Sequence, residues 1–111
     1  MDEQEFRKKC DAAMEHLQRR LEAICERHDF EVEGESGKIE LQFEDADETR
    51  FVVSPNTPVR QIWISALSTS FKLDWSEAAN GFVLEKTGEG LKQLVARLIN
   101  QQLGEEAVTL S

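Results

Sequence analysis

Two stretches with helical apolar periodicity bracket a central run of short alternating segments, and this order restricts the fold more than any other feature. Over residues 3 to 27, Phe6, Cys10, Ala13, Met14, Leu17, Leu21 and Ile24 fall on one stripe at about 100° per residue. No Gly or Pro interrupts it. Leu91, Leu94, Val95, Leu98 and Ile99 mark a second amphipathic helix. It ends near Leu103, with Gly104 suited to the left-handed residue that closes a helix. Between the two, candidate strands run over 30–33, 38–44, 49–54, 61–66, 71–75 and 82–85. Gly34 and Gly37, Asp45-Ala46-Asp47, Pro55 and Pro58, Ser68-Thr69-Ser70 and Asn80-Gly81 separate them. Connections this short make neighbouring strands antiparallel. Both helical stripes need cover, and one face of the sheet supplies it. The expected fold is α+β: a two-layer sandwich with two helices packed on one face of an antiparallel sheet of about six strands. A chain of 111 residues fits one such domain, 1–111.

Charge narrows the function classes. The chain carries 22 acidic and 13 basic side chains, a formal charge of −9. That argues against nucleic acid and anionic membranes as partners, and favours cations, basic protein surfaces or solubility alone. No apolar run is long enough to span a bilayer. The start Met1-Asp2-Glu3-Gln4-Glu5 is acidic, the opposite of a transit peptide. The expectation is a cytoplasmic protein if bacterial, or a matured form in a mitochondrial or other organellar matrix if eukaryotic. Cys10 and Cys25 would lie roughly 22 Å apart along one helix and so cannot bridge each other. They read as small core-edge residues in a reducing compartment.

Most catalytic and metal signatures are missing. His16 and His28 lack HxxxH or HExxH spacing, and there is no CxxC, GxGxxG, P-loop or G-x-S-x-G. Gly88-Glu89-Gly90 reads as a helix entry. What remains is oxygen donors. Asp11, Glu15, Gln18, Glu22 and Glu26 share a sector roughly 80° wide on the first helix, away from the apolar stripe. A solvated face would account for that sector alone. The acidity continues, however, as Asp29, Glu31, Glu33 and Glu35 alternate with Phe30 and Val32. Helix sector and strand row together suggest an acidic ridge. Carboxylates are hard donors suited to Fe²⁺, Fe³⁺, Mn²⁺, Ca²⁺ or Mg²⁺. Open to water, they would bind such ions weakly and exchangeably, and would equally suit a basic partner.

Pro58 precedes Gln61-Ile62-Trp63-Ile64. Alternation sends Ile62 and Ile64 to one face and Trp63 to the other. With the isoleucines inward, Trp63 faces outward, where an indole is a candidate interface anchor. Asn56 and Gln61 lie close enough in sequence to flank it. The alternative is a flipped strand with Trp63 in the core. Val108 and Leu110 fit neither a strand nor the second helix, and are expected to cover the groove between the helices.

The strand Gly37-Lys38-Ile39-Glu40-Leu41-Gln42-Phe43, the Thr57-Pro58 loop, Gln61-Ile62-Trp63 and Asp74-Trp75, in this order between two helices, resemble the frataxin family over about residues 5 to 103. The resemblance implies an iron-binding regulator of iron–sulfur cluster assembly, with Fe²⁺ or Fe³⁺ held weakly on Asp11, Glu15, Glu22, Glu26, Asp29, Glu31 and Glu33. It implies docking of Asn56, Gln61 and Trp63 on the cysteine desulfurase and scaffold, by a monomer able to form oligomers with iron. It carries two alternatives, a ferroxidase and an acidic adaptor without physiological metal. Di-iron ferroxidase centres use Glu-x-x-His pairs in a helix bundle, and this chain has none. The chain departs from bacterial relatives at Gln18-Arg19-Arg20, where they tend to carry consecutive acids. Arg19 is placed to pair with Glu15 at i,i+4, which predicts weaker iron binding on the helix.

Overall fold

Asp2 starts the first helix by accepting a hydrogen bond from the Glu5 N–H at 2.7 Å. In the computed structural model, residues 1–104 and 108–110 are described, so 105–107 and Ser111 of the tail lie outside the described residues. Helix α1 runs Glu3–Ile24, and the last turn expected of it, Cys25–Arg27, tightens to a 3₁₀ turn. Its stripe of Phe6, Cys10, Met14, Leu17 and Leu21 is buried. Burial and the neighbouring Asp11 charge push the Cys10 thiol up to about 11, so it is not a nucleophile near neutrality. Cys25 is half-buried, and both cysteines are free.

Six antiparallel strands follow in sequence order: β1 Phe30–Glu35, β2 Lys38–Phe43, β3 Arg50–Asn56, β4 Gln61–Ala66, β5 Thr69–Ser76 and β6 Gly81–Val83. Helix α2, Leu91–Leu103, returns over the same face as α1 and closes on Gly104, whose φ of 74° is left-handed. The sheet's inward row includes Ile39, Leu41, Phe43, Phe51, Val53, Ile62, Ile64 and Leu73, all buried with the two helical stripes in one core.

Four boundaries differ from the sequence reading, each for a local reason. Gly34 lies inside β1, opposite Ile39, and not in the turn. A Cβ there would meet the Gln18 side-chain amide at 2.3 Å, so glycine lets α1 lie close to the strand. Pro55 belongs to β3, opposite Ile62, and only Thr57–Val59 forms a 3₁₀ turn before Arg60 at φ 56°. The β4–β5 turn is Leu67-Ser68, both at positive φ, and not Ser68-Thr69-Ser70. β6 stops at Val83, because Leu84 donates its N–H to Glu89 O instead of continuing the ladder.

The tail packs as expected where it is described. Val108 and Leu110 are buried in the core cluster. Asn100 on α2 clamps the Val108 backbone, accepting its N–H at 2.9 Å and donating to its carbonyl at 3.0 Å. Leu110 lies beside Ala12 and Ala13 of α1 and Leu91 of α2, at the groove between the helices.

Candidate functional site: the open sheet face and its acidic edge

Ile62 and Ile64 are buried, so the pleat turns Trp63 to the helix-free face of the sheet, where it is half-buried. The flipped-strand alternative is thereby excluded. Register sets its neighbours. Ser54, Trp63 and Lys72 form one cross-strand row over β3, β4 and β5, and Asn56, Gln61 and Asp74 form the next. The indole Nε1–H donates to Gln61 Oε1 at 2.8 Å, and Gln61 Nε2 donates to Asp74 Oδ1 at 3.0 Å. An indole only donates and a carboxylate only accepts, so this chain fixes which way the Gln61 amide points. The Lys72 ammonium lies 4.8 Å from the Trp63 ring centroid, within cation–π range. Trp63 is thus held in one orientation at the surface from two sides. Asn56 sits beside Gln61 in the register but outside the Trp63–Gln61–Asp74 chain.

Lys72 and Asp74 were not picked out as members of this patch from sequence. The signal was present: a two-residue turn at Leu67-Ser68 places Trp63 opposite Lys72 and Gln61 opposite Asp74. Reading the turn one residue late hides the pairing.

The acidic edge is built by β1, which has a neighbour only on the β2 side. Phe30 is buried and Val32 half-buried on the helix side, while Glu31, Glu33 and Glu35 are exposed. Register places Glu33 in one row with Glu40, Val52 and Ser65, and Ser65 shares its face with Trp63. The β1 carboxylates therefore stand on the same face as Trp63, three strand spacings or about 14 Å from β4. Like charges at Glu33 and Glu40 face each other across the ladder, a destabilising pair. Arg50 relieves it with an ion pair to Glu40 at 3.0 Å.

The predicted ligand set divides. Glu26, Asp29, Glu31 and Glu33 line one recess at the α1–β1 corner, joined by Glu44, which sequence reasoning had passed over. Asp11 and Glu15 line a second recess nearer the β1–β2 turn, with Gln18, Glu35 and Lys38. Glu22 lies on α1, taking a long hydrogen bond of 3.4 Å from Gln18. Arg19 pairs with Glu15, the contact expected from i,i+4 spacing. Among the described residues, no three His, Cys, Asp or Glu side chains are grouped closely enough to hold a metal ion as they stand. Exposed carboxylates in two recesses suit a weakly held, exchanging cation and not a closed cage.

Comparison with known proteins agrees with the fold. The family described as a frataxin-like domain matches residues 1–105. Among similar proteins is the iron-sulfur cluster assembly protein CyaY of Azotobacter vinelandii, 32% identical over 95 residues and covering 84% of each chain. The protein of the same name from Pseudomonas fluorescens is 30% identical over 95 residues, again 84% of each. Among solved structures, frataxin from Psychromonas ingrahamii superposes with a TM-score of 0.79, at 18% identity over 95% of this chain and 94% of that one. Yeast frataxin gives 0.70 at 21% identity, over 91% and 82%. Those two likenesses speak for the fold. With the family match over nearly the whole length and relatives at 30% and 32% identity, this chain belongs to the frataxin-like family.

Proposed function

We propose that this protein serves iron–sulfur cluster assembly as a binding regulator. It docks through the open sheet face on the cysteine desulfurase–scaffold complex and holds Fe²⁺ or Fe³⁺ weakly at its acidic edge. The observation that carries this reading is that the β1 carboxylates and the Trp63 patch occupy one face. A partner laid on that face meets an ordered indole and, about 14 Å away, a row of negative charge. The indole supplies buried contact area and a fixed orientation. The carboxylates supply steering toward a basic surface.

Iron is cargo on this reading. The donors are hard oxygens, which suits iron in either state. Glu31 and Glu33, two apart on one strand, have Cα atoms about 6.6 Å apart, so one ion reaches both only through water or by side-chain convergence. Such a site exchanges its ion readily and is open to solvent, as a site that hands iron on needs to be.

Reversing both residues, Glu31→Lys with Glu33→Lys, tests the reading. Exposed charge changes of this kind leave the fold within about 0.5 kcal/mol of wild type. The reversal is expected to abolish Fe²⁺-dependent NMR line broadening at β1 and to weaken binding to the desulfurase–scaffold complex, more so at low salt. An unchanged iron titration together with unchanged affinity would contradict it.

A further inference from the structure

A second surface lies away from the open sheet face, in the groove bounded by α1, β6 and the start of α2. It encloses about 730 Å³, within the range of small-molecule sites. Small residues make the room: Ala12 and Ala13 on α1, Gly81 on β6 and Gly90 before α2. Its apolar wall is aromatic, with the half-buried Trp75 ring edge-on to Phe82 at 5.3 Å.

The charges of this groove run against the rest of the chain. The whole sequence carries −9. Yet among the described residues the groove wall includes no carboxylate, and its charged members are Lys9 and Lys92. Both lysines are half-buried. The four ion pairs among the described residues are all made by arginines. The two lysines have neutral partners instead. Lys9 Nζ sits 4.4 Å above the Trp75 ring. Lys92 Nζ lies 3.3 Å from His16 Nδ1. An ammonium only donates, so in this contact Nδ1 is the acceptor and Nε2 is the ring nitrogen left to donate. The Lys92–His16 end thus presents several N–H donors, and none of the ion pairs among the described residues engages them. Lys9 stands two turns earlier on α1, about 10 Å along the groove.

We propose that this groove binds a small organic anion with an apolar body. The anionic group, a carboxylate, sulfonate or phosphate ester, is taken by Lys92 and His16. The body lies along Ala13 toward Trp75 and Phe82, and Lys9 closes the far rim. Charge complementarity selects this occupant. Two chains that each carry −9 repel one another as whole molecules, which disfavours a second copy as the occupant, while a small anion meets only the local lysines.

Titration with anilinonaphthalene sulfonate tests the proposal, followed by dye fluorescence and by amide NMR shifts of the intact protein. One dye is expected per chain, with shifts confined to residues around Ala13, Gly81, Gly90 and the Trp75 indole. Lys92→Gln is expected to weaken the dye by about tenfold or more, Lys9→Gln by less, and Lys92→Arg to retain it. Uncharged phenylnaphthylamine is expected to bind wild type more weakly and to ignore Lys92→Gln. Thermal melts of each variant establish that it is folded. Dye shifts located at Trp63, equal affinity in folded Lys92→Gln, or equal affinity for the uncharged analogue would overturn the proposal. So would a glutamate-rich apolar peptide that outcompetes the dye through the same lysines, or self-association that broadens the groove resonances.

Discussion

Arg19 decides how negative the helix side of the acidic edge is. Its pair with Glu15 is exposed, with side chains 72% and 63% accessible, so it contributes little to stability. Its effect falls on the field around Asp11 and Glu15. Arg19→Gln is therefore expected to leave the melting temperature almost unchanged and to strengthen Fe²⁺ binding near Glu15 severalfold. Line broadening of α1 amides during anaerobic Fe²⁺ titration measures it; no change from wild type would show that the helix carboxylates take no part. This contact was legible in the sequence because i,i+4 spacing on a helix fixes proximity without tertiary knowledge. The Gln61–Asp74 hydrogen bond was not, because it joins residues 13 apart through a hairpin register that one turn residue decides. For the same reason Glu44 was missed at the α1–β1 corner. It lies just past the end of β2 and reaches that corner only through its backbone N–H bond to Asp29 O.

At the scale of elements, the local periodicities carried both helices and most strand cores, since burial on one face imposes a repeat of 3.6 or 2. Turns were less legible. Leu67-Ser68 occupies a two-residue hairpin position where both residues need positive φ, at 52° and 61°. Neither residue favours that region, and a branched bulky side chain is costly there. The register of β4 and β5 is imposed by Ile62, Ile64 and Leu73 in the core, and the turn chemistry yields to it. Replacing the pair with Asn-Gly, which suits this turn, is expected to raise stability by about 1 kcal/mol. Chemical denaturation measures that gain; a loss would mean that Leu67 makes a contact worth more than the strain.

The entry to α2 rests on a charged pair that the sequence did not reveal. Arg97 grips Glu89 with both Nε and a terminal nitrogen, at 2.7 and 2.9 Å. These bonds, with help from Thr87, hold the Glu89 carboxyl below its ordinary value of 4.5 despite its partial burial. A depressed carboxyl pKa adds stability that is complete above the ordinary value and disappears as pH falls through the lowered one. Comparing wild type with Glu89→Gln by denaturation at several pH values should show a stability difference at neutral pH that shrinks progressively below 4.5. A difference independent of pH would show that the Glu89 charge is not what Arg97 stabilises.

Over the whole molecule, the sheet has one covered face and one open face. The covered face holds both helices, the tail residues Val108 and Leu110 and the core. The open face brings together Trp63, its fixed partners Gln61 and Lys72, and the β1 carboxylates. Sequence pattern sufficed to turn Trp63 outward, because two buried isoleucines leave the residue between them no other side. It did not show that the β1 part of the acidic ridge shares Trp63's face while its α1 part lies on the covered side of the sheet. That division depends on the order β1-β2-β3-β4 within the sheet. The most direct test of the account is Trp63→Ala, assayed for thermal unfolding and for affinity to the cysteine desulfurase–scaffold complex. Trp63 is half-buried and its hydrogen bond lies at the surface, so unfolding should shift by about 1 kcal/mol or less. Loss of the anchor should weaken binding by roughly 2 kcal/mol or more. A variant destabilised by about 3–5 kcal/mol, as a core tryptophan would be, whose folded fraction still binds the complex with wild-type affinity, would contradict the account.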